Sequence, residues 1–147
     1  MASSFFTQEQ QDRIVQAIRD AESNTSGEIK VHIEKECRGD VMAHAKEVFL
    51  QLKLHETSLR NGVLFYLALE SHKFAILGDT GIDKVVPANF WHETKDLMRS
   101  QFKQGLITEG LCQGVRMAGQ ELKSHFPYLA NDKNELSDDI SFGDNKN

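Results

Sequence analysis

A chain of 147 residues, 39% apolar and 27% charged, has room for one domain with a substantial core and little for a second. Its 17 basic residues against 22 acidic ones leave a net charge of −5, which argues against a basic face for nucleic acid or an anionic membrane. The longest apolar run, Val63–Leu69, falls well short of the ~20 residues that span a bilayer, so no membrane insertion is expected. Phe5-Phe6-Thr7 follows an N-terminus without the basic start or apolar segment of a secretory signal. Cys37 and Cys112 are too few for a disulfide scaffold, so the expectation is a reduced, cytoplasmic protein.

Thr7 and Gln10 have the spacing of a capping box. Behind them Ile14, Val15, Ile18 and Ala21 recur at helical spacing, which predicts an amphipathic helix over 8–23. Asn24-Thr25-Ser26-Gly27 ends it with turn chemistry. Ile29, Val31 and Ile33 then alternate with Lys30, His32 and Glu34, which predicts a strand with one buried face and His32 on the outer one. Gly39-Asp40 opens a second helix striped by Val41, Ala45, Val48, Phe49 and Leu52.

Arg60-Asn61-Gly62 leads into Val63–Leu69, a continuous apolar run that reads as a central strand covered on both faces. Glu70-Ser71-His72-Lys73 is too short for a parallel crossover, so Phe74–Leu77 is expected to return as an antiparallel strand. Gly78-Asp79-Thr80-Gly81-Ile82-Asp83 reads as a Gly/Asp turn, with a helix opening close after Pro87 on Phe90, Leu97, Met98 and Phe102. A last helix, about 108–126, carries Leu111, Val115, Ala118 and Leu122. It also holds Gly110, Gly114 and Gly119, each of which costs roughly 1 kcal/mol against Ala and points to close backbone packing on the sheet. The domain is therefore assigned to 1–129. Residues 130–147 form an acidic, flexible tail in which Asp132, Glu135, Asp138, Asp139 and Asp144 outnumber Lys133 and Lys146. The order α-β-α-β-β-α-α gives the fold class: α/β, a three-layer α/β/α sandwich with a small mixed sheet.

Phosphate-cradling loops, H-E-x-x-H zinc motifs and G-x-S-x-G nucleophile elbows are missing, and the six histidines never pair at ligand spacing. Cys112 lies inside a predicted helix, where burial is expected. One constellation stands out. If the first two strands run parallel and the third returns antiparallel, Ser26-Gly27-Glu28 meets Asn61-Gly62 and Asp79–Asp83 at one rim of the sheet. Three carboxylates, an amide and backbone carbonyls are the oxygen donors that Ca²⁺ or Mg²⁺ prefers. The same residues also read as a plain turn in which Asp79 bonds backbone amides and Asp83 caps the next helix. Asp132-Lys133-Asn134-Glu135 is a second, weaker cation candidate.

In order along the chain, Thr25-Ser26-Gly27-Glu28-Ile29-Lys30-Val31, Asn61-Gly62-Val63-Leu64, Gly78-Asp79-Thr80-Gly81-Ile82-Asp83 and Phe102-Lys103-Gln104-Gly105 before Glu109-Gly110-Leu111 resemble the TPM domain family over 5–126. The resemblance implies an α/β/α sandwich, an acidic cleft associated with divalent cations and, for some members, acid phosphatase activity. Asn61, Gly62, Asp79, Gly81 and Asp83 match the family's loop and strand-start positions. Arg60 stands where members often carry an acid, and Phe6-Thr7-Gln8 where many carry an aspartate.

Two functions are carried forward. The first is a Ca- or Mg-binding domain with Asp79, Asp83, Glu28, Asn61 and Gly81 as the metal site, acting as a metal-dependent phosphomonoesterase in which Arg60 either pairs with the phosphate or is a solvated surface arginine. The second is a non-catalytic interaction module for a protein partner in a membrane or repair complex, with the acidic tail and the Phe90-Trp91 region as contact candidates, Trp91 also reading as half-buried on its helix.

Overall fold

The computed structural model describes residues 2–128 and 137–143. Thr7 caps helix α1 (Gln8–Glu22) as expected: its hydroxyl accepts from the Gln10 N–H at 3.1 Å, and the Gln10 side chain accepts from the Thr7 N–H at 2.9 Å. Strand β1 (Glu28–Glu34) follows, then helix α2 (Val41–Gln51), N-capped by Asp40, and strands β2 (Gly62–Ala68) and β3 (Lys73–Gly78). A four-residue helix α3 (Thr80–Asp83) stands where a turn was expected. Helix α4 (His92–Lys103) opens after a turn at Pro87–Phe90, and helix α5 (Ile107–Leu122) completes the helical layer.

The sheet order is β3-β2-β1-β4, where β4 is Ser141–Phe142. Strands β1 and β2 are parallel, from Glu28 opposite Gly62 to Glu34 opposite Ala68, with α2 in the crossover; β3 returns antiparallel through the short hairpin. Every residue of β2 is buried. On one face, Val63, Phe65 and Leu67 join Ile29, Val31 and Ile33 beneath the buried sides of α1, α4 and α5. On the other, Leu64, Tyr66 and Ala68 pack with Ala45, Val48, Phe49 and Leu54. This is the expected α/β/α sandwich.

Two differences from the sequence reading have physical causes. The glycines of α5 fit other helices rather than the sheet: a Cβ on Gly119 would lie 2.7 Å from the Ala21 carbonyl oxygen of α1, and one on Gly114 would lie 2.6 Å from the Met98 Cγ of α4. And part of the segment read as a tail carries a strand. Ser141 and Phe142 pair in parallel with His32 and Ile33, and the Gly143 N–H donates to the Ile33 carbonyl at 2.8 Å. Open donors and acceptors on the edge of β1 supply the reason. Asp132, Lys133, Asn134, Glu135, Asp144 and Lys146 lie outside the described residues. Among the described residues, no helix is long and apolar enough to cross a membrane.

Candidate functional site

The rim at the N-terminal ends of β1 and β2 is assembled by main chain. Asp79 N–H donates to the Gly62 carbonyl at 2.9 Å, which ties the end of β3 to the start of β2. Gly81 N–H donates to the Arg60 carbonyl at 2.8 Å. A Cβ on Gly81 would lie 2.6 Å from that oxygen and closer still to the Leu59 oxygen, so only glycine fits. Across the rim, Asn61 is 1% exposed, its N–H donates to the Thr57 hydroxyl and its Nδ2 reaches the Ser26 Oγ at 3.3 Å. Glu28, 4% exposed, starts β1 opposite Gly62. Parallel pairing of β1 with β2 and antiparallel return of β3 thus bring Ser26, Glu28, Asn61, Gly62, Asp79 and Gly81 to one end of the sheet.

Within the rim, Asp79 has a partner that spacing did not assign. Arg60 grips it in a two-toothed ion pair, Nε to Oδ2 at 2.7 Å and a second guanidinium nitrogen to Oδ1 at 3.0 Å. The Thr80 N–H also donates to Oδ1, at 2.8 Å, so Asp79 caps α3 as the plain-turn reading expected. The carboxylate side chain is 5% exposed while the arginine is 48% exposed. Asp79 holds the guanidinium proton more firmly than usual, raising the Arg60 pKa. Arg60 sits at φ 51, in the left-handed region. Asp83 is exposed at the last position of α3 and does not cap α4, whose N-cap is Trp91.

The donor types at this rim suit a hard cation, yet both Asp79 oxygens are occupied by Arg60. Among the described residues, no group of three or more His, Cys, Asp or Glu side chains is arranged to hold a metal ion.

Sequence reasoning missed two clusters. His32 is 6% exposed rather than on the surface. Its Nε2 lies 3.0 Å from Glu34 Oε1, its Nδ1 lies 2.7 Å from Ser141 Oγ, and its ring stacks on Tyr66 at 5.8 Å. Tyr66 donates to Glu34 Oε2 at 2.5 Å. Serine, histidine and carboxylate are triad components, but here they bolt β4 to β1. Alternation alone placed His32 outward; Tyr66 beside it and Ser141 of the returning segment cover it.

The second cluster joins Glu22 to Asp138. Burial, then the hydrogen bond with Asp138, pushes the Glu22 carboxyl up to about 10, against a lowering contribution from the Ile29 N–H at 2.8 Å. Lys30 is pulled below its ordinary range by burial and donates to the Ser137 carbonyl at 2.9 Å. Arg19 approaches Asp138 at 3.7 Å. No sequence signal pairs residues so distant along the chain.

Two further expectations meet the structure. Cys112 is buried, and burial raises its thiol pKa, as a packing role requires. Trp91, read either as half-buried on its helix or as exposed for partner contact, is 9% exposed in the core, with Phe90 packed edge-on against it at 4.7 Å.

Comparison with known proteins adds four findings. No curated protein matches the chain. The NMR structure of BA42 protein from the psychrophilic bacterium Bizionia argentinensis superposes with a TM-score of 0.90 at 48% identity, covering 95% of this chain and 96% of that one. The solution structure of the N-terminal domain of a P. gingivalis protein superposes with a TM-score of 0.67 at 19% identity, covering 82% and 78%, a likeness of fold alone. The TPM domain matches residues 2–121, nearly the whole of the sandwich whose rim is described above, and the chain belongs to the TPM domain family.

Proposed function

We propose that the rim binds a divalent cation, Ca²⁺ or Mg²⁺, through Asp79 with Glu28, Asn61, Gly81 and Asp83 contributing oxygens, and that binding exchanges the cation for the Arg60 guanidinium. The observation that supports this reading is the convergence of these segments on a 5% exposed carboxylate whose present counter-ion is a half-exposed side chain. A buried carboxylate keeps a positive partner, because leaving the charge uncompensated is costly. Arginine and cation are therefore alternatives at Asp79, and affinity is lower than in a site built from carboxylates alone.

A bound cation supplies charge to polarise a phosphoryl oxygen and acidify a water. Arg60, once released from Asp79, is placed to pair with a phosphate in the same two-toothed manner. Weak phosphomonoester hydrolysis is the activity that fits this arrangement.

The test is a Ca²⁺ and Mg²⁺ titration followed by amide shifts in wild type, Asp79→Asn and Arg60→Ala. The expected result is saturable shifts at 27–28, 61–62 and 78–83 that vanish in Asp79→Asn and appear at lower cation concentration in Arg60→Ala. Absence of shifts in wild type and Arg60→Ala at millimolar cation would refute the cation reading. It would leave a non-catalytic interaction module, with partner capture as the next step.

A further inference from the structure

A cavity of about 610 Å³ opens at the opposite end of the sheet from the rim, where β2 ends and β3 begins. In open α/β sheets, ligands collect beyond the carboxyl ends of the parallel strands, and this cavity lies beyond that end of β2. Its volume is within the range of small-molecule sites, roughly 300–1,000 Å³.

The walls are apolar: Leu67, Leu69, Phe74, Phe102 and Ile107 line it. All but the buried Leu67 are partly exposed, packed against the core on one side only. Phe5, 57% exposed, stands at the same opening. The polar lining is mainly cationic. Lys73, Arg99 and Lys103 stand in the lining with one carboxylate, Glu70, in a chain whose overall charge is negative, and Arg99 also pairs with Asp96 on its own helix at 3.0 Å. Glu70 already faces Lys35 at 3.8 Å. Lys73 donates to the Gly39 carbonyl at 2.9 Å, which leaves its charge uncompensated by that contact. Arg99 lies over the Phe74 ring at 5.6 Å, joining the cationic mouth to the apolar wall.

We infer that this cavity binds a single-chain amphiphile with an anionic head, the apolar chain against Leu67, Phe74, Phe102 and Ile107 and the head among Lys73, Arg99 and Lys103. The occupant is a free molecule rather than a bilayer: the cavity is a recess walled by Phe5, the ends of β2 and β3, α4 and the start of α5, with Lys73, Arg99 and Lys103 in its lining. Each methylene buried raises affinity about fourfold, so chain length is read directly. The inference is independent of the rim and of any cation bound there.

The experiment is a methyl-NMR titration with laurate, decanoate and dodecyltrimethylammonium, all kept monomeric, with phosphatidylglycerol vesicles in a parallel arm. Laurate is expected to shift Leu67, Leu69 and Ile107 saturably, and decanoate to bind roughly 15-fold more weakly for its two missing methylenes. Reversing one mouth charge in Lys103→Glu should weaken laurate by about fivefold. Ile107→Trp, which fills the cavity, should abolish the shifts; should that variant not fold, Lys103→Glu decides. Failure of laurate to move these methyls, equal binding of dodecyltrimethylammonium, or association with vesicles alone would each overturn the inference.

Discussion

Removing one oxygen atom from Tyr66 tests whether the network beneath β4 is an energetic part of the fold. Tyr66 is 0% exposed, and its hydroxyl donates to Glu34 Oε2 at 2.5 Å. Burial and the Glu34 carboxylate both raise the phenol pKa, so it serves as donor across the ordinary pH range. Tyr66→Phe keeps the ring and its stacking on His32, which isolates the hydrogen bond from packing. A hydrogen bond to a charged group contributes about 1.5–3 kcal/mol. Glu34 is 14% exposed and retains His32, so its carboxylate is not stranded, and a loss near 2 kcal/mol is expected. For a chain of this size that is roughly 4–8 °C in Tm. Urea unfolding of Tyr66→Phe, Glu34→Gln and the double variant gives the measurement, with a coupling energy of about 1 kcal/mol or more between the two positions. A Tyr66→Phe loss below about 0.5 kcal/mol, the level of an unremarkable surface change, would refute the reasoning.

Three other outcomes are expected. Glu22 keeps its proton up to about 10 in the folded protein and ionises near 4.5 when unfolded, so its stabilising contribution is complete below 4.5 and declines as pH rises toward 10. Glu22→Gln, which preserves a donor toward Asp138, should flatten that decline, and urea midpoints at pH 6 and 9 that fall equally in both proteins would contradict it. Gly119→Ala should destabilise by about 1–2 kcal/mol, overpacking against the Ala21 backbone exceeding the helix-propensity gain. Gly114→Ala should cost less, because the Met98 side chain can turn aside; the two midpoints, measured together, decide it. Finally, Cys37 and Cys112 are 3% and 2% exposed, so maleimide labelling should be slow in native protein and fast in urea. Rapid native labelling of Cys112 would show that α5 opens, and of Cys37 that the loop after β1 does.

Local patterning determined a great deal. The Thr7/Gln10 cap, the alternation through Ile29, Val31 and Ile33 and the apolar run of β2 each appear in the structure because they depend on neighbours within a turn or a strand. The short Glu70–Lys73 link, by forcing an antiparallel return, also let the sequence bring Asp79 beside Gly62 and Asn61 beside Ser26. What tertiary structure alone decided was the partner of each charge. Arg60 closing on Asp79, Glu22 hydrogen-bonding Asp138, and Ser141 meeting His32 join residues 19 to 116 positions apart. The same holds for Trp91 and for the α5 glycines, whose environment is another helix rather than their own. Periodicity reports which face of an element is apolar. It does not report what comes to cover the other face, and an edge strand with open hydrogen bonds will accept a segment that no local signal points to.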